Sequence, residues 1–146
     1  MGHHQDTLVV TYCCREKNPS PDLLPAKDRY LSSRIRVGGE AATRRGFEFR
    51  ILSGLYGLLE AGQMIPDYDH LLTAEQVPEH VVKLKGQLAK LKVAKVIFIT
   101  RTLEEDPGTE AYRQAMGLAC AAVEVDLEIL EIGPGEPAVT ELAERM

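Results

Sequence analysis

Hydrophobic and polar positions repeat with two different periods along the chain, and these periods predict alternating strands and helices. Short runs rich in β-branched and aromatic residues, which are typical of strands, cover residues 7–12, 47–52, 94–100 and 125–132. The last run alternates acidic and apolar residues, as a half-exposed edge strand does. Apolar residues three and four apart predict helices over residues 30–45, 77–91 and 107–122, with a last helical turn or two over 138–146. Gly38 and Gly39 are expected to weaken or kink the first helix.

This order of elements predicts an α/β fold with three layers, α/β/α. Strands joined through helices form a mainly parallel sheet, and the four strands are expected in the order 2-1-3-4 with helices on both faces. At 146 residues the chain can bury a core, and one α/β domain over residues 1–146 is the simplest division. In such sheets ligands bind beyond the carboxyl ends of the strands, where the strand order reverses.

Three unusual loops leave the first three strands, and this fold brings them to one edge of the sheet. They read CCREKN from Cys13, SGLYGLLEAGQMIPDYDH from Ser53 and RTLEED from Arg101. We therefore expect Cys13, Ser53 and Thr100 at the same edge, with the first two loops facing each other across a binding site.

The distribution of charge along the sequence limits the kinds of molecule that the protein could bind. Residues 1–50 hold nine Lys and Arg against six Asp and Glu, whereas residues 51–146 hold eight against sixteen. An acidic whole disfavours strong non-specific DNA binding, but a basic N-terminal face could still receive one phosphate or a short single strand.

The absence of long apolar runs and the cysteine count predict a cytoplasmic protein without a membrane partner. No apolar run approaches the length of a membrane span, and no secretory signal is present. Three cysteines, two of them adjacent, make a poor disulfide framework, which favours a reducing compartment. No second cysteine pair suggests a metal site, and neither a metal nor a cofactor is expected.

Cys13 and Cys14 stand where the first strand ends, followed by Arg15 and Lys17. A thiol beside cations has its thiolate favoured, which is how reactive cysteines arise. The alternative is that one of the pair belongs to the core and the other fills space. Cys120 lies on an apolar helix face and is expected to be packing.

The segment PAKDRY, residues 25–30, joins a rigid turn to a helix start. Lys27 could offer charge to a ligand, although a solvated charge run is the default interpretation. Asp28 could cap the helix. Ser33 falls in the first helical turn, where backbone N–H groups can help to hold an anion.

The long loop after the second strand is rich in hydrogen-bonding groups. Gly54 and Gly57 permit a tight turn or a close approach of the backbone. Tyr56 between them could pack, or could stack on a planar ligand. Asp67 and Asp69 are two residues apart, so an extended segment points both the same way. Two convergent carboxylates can raise one another's pKa and support acid–base chemistry.

Four motifs together resemble a group of small, largely uncharacterised bacterial and phage proteins. Their pattern runs roughly Cys-Ser-Lys-x-Lys, Pro-Ala-x-x-Leu-Tyr-x-Ser, Ile-Leu-Ser-Ala-x-(His/Tyr)-Gly-Leu and Ile-x-Pro-Tyr-Asp. This chain has CCREK, PAKDRYLSS, ILSGLYGLL and IPDYD in the same order, across about residues 7–100. The pattern is more distantly similar to the peroxide-stress protein family and to the core domain of archaeosine synthase. The positions that match directly are Cys13, Lys17, Pro25, Ala26, Tyr30, Ser33, Ser53, Gly57, Leu58 and Asp69.

The chain also departs from the pattern. Cys14 replaces a serine, Arg15 a lysine and Arg29 a leucine, and the last motif carries one extra residue. The resemblance implies the predicted fold and a connection with nucleic acids and modified 7-deazaguanine bases.

Three functions fit these observations. The first is an enzyme acting on a nucleobase, nucleotide or nucleic acid, with Cys13, Lys17 and Asp69 as catalytic residues and a planar nucleoside, nucleotide or short single strand as ligand. The second is a non-catalytic nucleic-acid-binding stress-response protein that uses its basic N-terminal third. The third is a cysteine-based redox or sulfur protein. The other predicted ligand-binding residues are Cys14, Arg15, Lys27, Tyr30, Ser33, Ser53, Tyr56, Gly57, Asp67 and Tyr68.

Overall fold

The computed structural model describes residues 6–146, and its main element is a five-stranded sheet. Four of its strands are parallel neighbours in the order β3-β1-β6-β7, and β4 lies antiparallel to β3 at one edge. The strands are β1 (Thr7–Tyr12), β3 (Glu48–Ser53), β4 (Gly57–Glu60), β6 (Lys95–Thr100) and β7 (Asp126–Glu131), and a separate ribbon pairs β2 (Leu24–Pro25) with β5 (Met64–Ile65).

The predicted α/β class and the relative order of the four parallel strands are confirmed. The predicted number of strands is wrong, because part of the long loop after β3 turns back and adds β4 to the sheet. Ser53 pairs with Gly57, which leaves a three-residue turn between the two strands. The Ser53 Oγ accepts hydrogen bonds from the backbone N–H groups of Leu55 and Tyr56, both at 3.1 Å. Gly57 has a φ of 78°, a conformation that favours glycine and is typical of such turns.

Helices cover both faces of the sheet. Helix α2 (Ser33–Arg45) packs against α5 (Val139–Arg145) on one face, and α3 (Val77–Leu91) packs against α4 (Thr109–Ala122) on the other. A short helix α1 (Ala26–Arg29) precedes α2. The helix predicted over residues 30–45 therefore begins three residues later than expected. Gly38 and Gly39 do not interrupt it, because they lie against the side chains of Ile99 and Phe49.

The core follows from the alternation of side chains along each strand. In β1, Leu8 and Val10 pack with α3 and α4, whereas Val9 packs with α2 and α5. All three are fully buried, and each contributes about 1.5–3 kcal/mol through the burial of its side chain. Cys120, on α4, is also buried in the core, as predicted.

Arg29 holds the loop that follows β1. Its side chain is fully buried, and its guanidinium donates to the carbonyls of Asn18 at 2.6 Å, Ser20 at 3.0 Å and Asp22 at 2.5 Å, with a longer bond to Ile65 at 3.3 Å. These bonds satisfy backbone groups of an irregular segment that a leucine at this position would leave without partners.

The strand order reverses between β1 and β6. The chain leaves β1 for α2 on one face and leaves β6 for α4 on the other, so the loops that follow the two strands separate at their carboxyl ends. Cys13, Ser53 and Thr100 lie at this same edge, as predicted: the Cys13 N–H donates to the Leu52 carbonyl at 2.9 Å, and Thr11 stands opposite Ile99.

Candidate functional site

A cleft of about 760 Å³ opens at the switch point, beyond the carboxyl ends of β1 and β6. This is a volume that suits a small ligand. Its lining comes from residues 12–16 after β1, from 31–34 at the start of α2, from 71–73 before α3, and from single residues between Arg101 and Tyr112. We call it the strand-end cleft.

Cys13 and Tyr112 line the strand-end cleft and contact each other. The Cys13 Sγ lies 3.4 Å from the Tyr112 hydroxyl, and the backbone N–H of Leu72 donates to the same hydroxyl at 3.0 Å. Because the hydroxyl already accepts a bond from Leu72, its own proton is free to point at the sulfur. Burial raises the pKa of Tyr112 above its ordinary value, and the neighbouring Cys13 adds to the effect. Tyr112 is therefore a neutral hydroxyl at physiological pH.

Arg34 places a buried positive charge beside these two residues. It donates to the Thr11 Oγ1 at 2.5 Å and to the Tyr12 carbonyl at 2.6 Å, and its guanidinium carbon lies 3.6 Å from the centre of the Tyr12 ring. Its relative exposure is only 5%. Within residues 6–146, no carboxylate forms a salt bridge with it. Burial lowers its pKa from the ordinary value, and the charge of Tyr12 opposes this.

Four further charged residues line the strand-end cleft. Arg15 and Glu16 are exposed, whereas Arg101 is largely shielded. Asp106 accepts a hydrogen bond from the Tyr12 hydroxyl at 3.0 Å. The cleft thus combines three arginines with two carboxylates, one of which is oriented by a tyrosine.

The segments after β1 and β3 were expected to face each other across a binding site, but the space between them is filled by a cluster of hydroxyls and aromatic rings. The Tyr68 hydroxyl is hydrogen-bonded to the Tyr30 hydroxyl and to the Ser53 Oγ, the latter at 2.7 Å. The Tyr56 ring meets the Tyr68 ring edge-on, with centres 5.2 Å apart. Burial raises the pKa of Tyr68 to about 12, and the neighbouring Cys13 adds to it. We call Tyr30, Ser53, Tyr56 and Tyr68 the hydroxyl cluster.

Lys17 covers the hydroxyl cluster. It forms an isolated β-bridge with Tyr30, and its Nζ lies 4.9 Å from the centre of the Tyr68 ring. The same ammonium group donates to the Arg15 carbonyl at 3.4 Å. Neither Lys17 nor a member of the hydroxyl cluster lines the strand-end cleft. They form a second layer of aromatic rings and hydroxyls between the two loops.

The structure does not support the expectation of a reactive Cys14. Neighbouring cations were expected to favour a thiolate, but burial raises the pKa of Cys14 from 9.0 to about 11 and outweighs the opposing charges of Arg34 and Lys17. Its Sγ donates to the Glu16 carbonyl at 3.0 Å. A thiol of this kind stays protonated near neutral pH and is a poor nucleophile.

The remaining predicted site residues lie elsewhere. Lys27 and Tyr30 line a second cleft of about 820 Å³ along α2, which shares residues 31–33 with the strand-end cleft, so Ser33 lines both. Gly57 is the first residue of β4 and pairs with Ser53. Asp67 and Asp69 are exposed and line neither cleft, and their catalytic and binding roles stay predictions.

Sequence reasoning missed four cleft residues: Arg34, Arg101, Asp106 and Tyr112. The signal for Arg101 and Asp106 was available, because both belong to the RTLEED loop that the predicted topology brings to this edge. No comparable signal marks Arg34 or Tyr112, because both lie on amphipathic helices, where the spacing of apolar residues does not show which polar side chain turns inward.

Within residues 6–146, no group of three or more His, Cys, Asp and Glu side chains is arranged to hold a metal ion. None of the helices in this part of the chain is long and apolar enough to cross a membrane.

Comparison with known proteins adds only a distant likeness. No family model matches the chain, and no curated protein matches it either. Among solved structures, a mutant type II creatininase and a creatinine amidohydrolase (creatininase) are similar, each with 13% identity and a TM-score of 0.49. The match covers 87% of this chain and 51% and 50% of those chains, so this chain spans about half of their length. A likeness at this level carries no argument about activity or substrate.

Proposed function

We propose that the strand-end cleft binds a small, planar, anionic molecule of the nucleotide class, and that the protein is an enzyme that acts on this ligand. The observation that carries the proposal is Arg34, a buried guanidinium that lines the cleft and forms no salt bridge within residues 6–146. A buried charge is costly to leave without a counter-ion. A ligand phosphate in the cleft would supply one.

The other cleft residues fit the remaining parts of a nucleotide. Arg15 is exposed at the cleft and can approach a phosphate. Leu31, 56% exposed, offers an apolar surface to the flat face of a base. The Asp106 carboxylate can accept hydrogen bonds from the donor edge of a guanine-like base.

Cys13 is the candidate reacting group. It lines the cleft, and a neutral tyrosine hydroxyl lies 3.4 Å from its sulfur. The four sequence motifs, whose pattern Cys13 matches directly, are more distantly similar to the archaeosine synthase core domain and favour the same ligand class. The redox or sulfur alternative is weaker, because the adjacent Cys14 has a raised pKa.

A calorimetric panel tests the proposal. The ligands are GMP, guanosine, a short single strand and a duplex, and the variants are Arg15→Ala and Asp106→Asn. GMP should bind best, Arg15→Ala should weaken GMP more than guanosine, and Asp106→Asn should weaken both. Lys85→Ala, which removes one exposed charge from α3, is the matched control and should change neither. Strong, salt-sensitive duplex binding that neither cleft substitution alters would reject the proposal and favour the surface-binding alternative.

A further inference from the structure

A carboxylate from the loop after β7 forms an ion pair with an arginine that lines the strand-end cleft. Glu136 forms an ion pair with Arg101 through Oε1 and Nη2. The other terminal nitrogen of that guanidinium, Nη1, donates to the Gly135 carbonyl at 2.7 Å. The loop therefore engages both Nη atoms of Arg101, and these are the donors that a guanidinium presents to a phosphate or carboxylate.

The Glu136 carboxylate lies close to the positive charges of the strand-end cleft. A hydrogen bond from the Ser33 side chain lowers the pKa of Glu136, and the charges of Arg101 and Arg34 lower it further. Ser33, Arg34 and Arg101 all line the strand-end cleft. The side chains of Arg101 and Glu136 are 19% and 25% exposed, so water screens the ion pair only in part.

We infer that Glu136 is a built-in competitor for the anionic group of the ligand. The carboxylate holds Arg101 when the cleft is empty, and a ligand phosphate takes its place when the cleft is filled. This inference rests on the proposed function. It adds that Arg101 belongs to the anion subsite and that the loop over residues 133–136 must move away from Arg101 as the ligand binds.

The loop is built in a way that permits this exchange. Residues 133–136 are exposed, and Gly133 and Gly135 have φ values of 126° and 80°, so glycines supply the conformational freedom on both sides of Pro134. The chain on either side is fixed, since β7 is paired with β6 and α5 packs against α2. Movement would therefore be confined to the loop.

The test compares Glu136→Gln with Glu144→Gln, a matched charge removal at an exposed position of α5. Calorimetry measures GMP and guanosine binding to both variants and to the unmodified protein. We expect Glu136→Gln to bind GMP roughly two- to fivefold more tightly than Glu144→Gln does, since the ligand no longer displaces an ion pair. Guanosine, which lacks the phosphate, should bind both variants equally.

Each other outcome overturns the inference in a distinguishable way. If GMP binds the unmodified protein but Glu136→Gln binds it no more tightly than Glu144→Gln, the inference fails and the proposed function stands. If Glu136→Gln tightens GMP and guanosine to the same degree, the loop restricts entry in general and does not compete for the anion. If neither ligand binds any of the three proteins, the proposed function and the inference both fail.

Discussion

The guanidinium carbon of Arg34 lies 3.6 Å from the centre of the Tyr12 ring, and the same guanidinium donates to the Tyr12 carbonyl at 2.6 Å. This contact ties the start of α2 to the end of β1. It also fixes a positive charge at the point where the strand order reverses, which is where sheets of this kind bind ligands.

The first prediction concerns this contact. Arg34→Lys should lower the free energy of unfolding by about 1–3 kcal/mol, because a lysine cannot reproduce the planar fork that bonds Thr11 and Tyr12 while it stacks on the ring. Urea denaturation measures the change. Arg36→Lys, at an exposed position paired with Glu40, is the control and should change the free energy by less than about 0.5 kcal/mol. Equal stability of the two variants would show that the guanidinium contact contributes nothing to folding.

The second prediction concerns Arg29, which stands where the resembling proteins have leucine. Arg29→Leu should destabilise the protein by about 1–3 kcal/mol, because it leaves the carbonyls of an irregular loop without their buried donor. The amides of Asn18, Ser20 and Asp22 should exchange hydrogen faster in the variant. Arg36→Leu removes an exposed arginine and is the control for the loss of charge. Unchanged exchange over residues 18–22 would contradict the account of Arg29 as the residue that orders this loop.

The third prediction separates the core from the surface. Ile97 is 1% exposed in the strand next to β1, so Ile97→Ala should cost about 2–4 kcal/mol through lost burial and a cavity. Asp69 is exposed, so Asp69→Ala should change stability by less than about 0.5 kcal/mol. Thermal and urea denaturation measure both. Unfolding of the Asp69 variant would assign that residue a structural role.

The fourth prediction follows from the thiol pKa values. Burial raises the pKa of Cys14 and Cys120 from 9.0 to about 11. The folded protein then holds these protons in a range where the unfolded chain has lost them. Their contribution to stability is therefore fully present below pH 9 and is lost as the pH rises from 9 to about 11.

Alkylation with iodoacetamide, followed by mass spectrometry at each site, measures the thiol pKa directly. In the folded protein, the alkylation rate at Cys14 should reach half of its maximum only near pH 11. Urea-unfolded protein is the reference, and its rate should reach half of its maximum near pH 9. A half-way point at or below pH 9 in the folded protein would contradict the role of burial and would restore the expectation of a reactive Cys14.

Much of the fold was predictable because its signals are local. The bounds of β1 and α3 follow the prediction to the residue, since an unbroken β-branched run and a regular apolar spacing define them. The strand β4 was missed because its four residues follow a turn that depends on the φ of Gly57 and on the hydrogen bonds of Ser53. Such contacts appear only when the chain is folded.

The site was predictable only as far as topology determines it. The expectation that the loops after β1, β3 and β6 lie at one edge of the sheet brings Cys13, Arg15 and Asp106 to the strand-end cleft. Whether a helix charge turns inward depends on tertiary packing, so the periodicity of α2 did not distinguish the buried Arg34 from the exposed Arg36. The carboxylates of residues 67 and 69 have the right spacing but lie in solvent.

The central claim is that the strand-end cleft is the ligand site, and a crystal structure of the protein with GMP tests it most directly. The account predicts density for GMP at the carboxyl ends of β1 and β6. The phosphate should lie within hydrogen-bond distance of Arg15 or Arg101 and close enough to Arg34 to serve as its counter-ion, and the base should lie near Leu31 and Asp106. GMP in the second cleft, beside Lys27 and Phe49, or density confined to the surface, would contradict the claim.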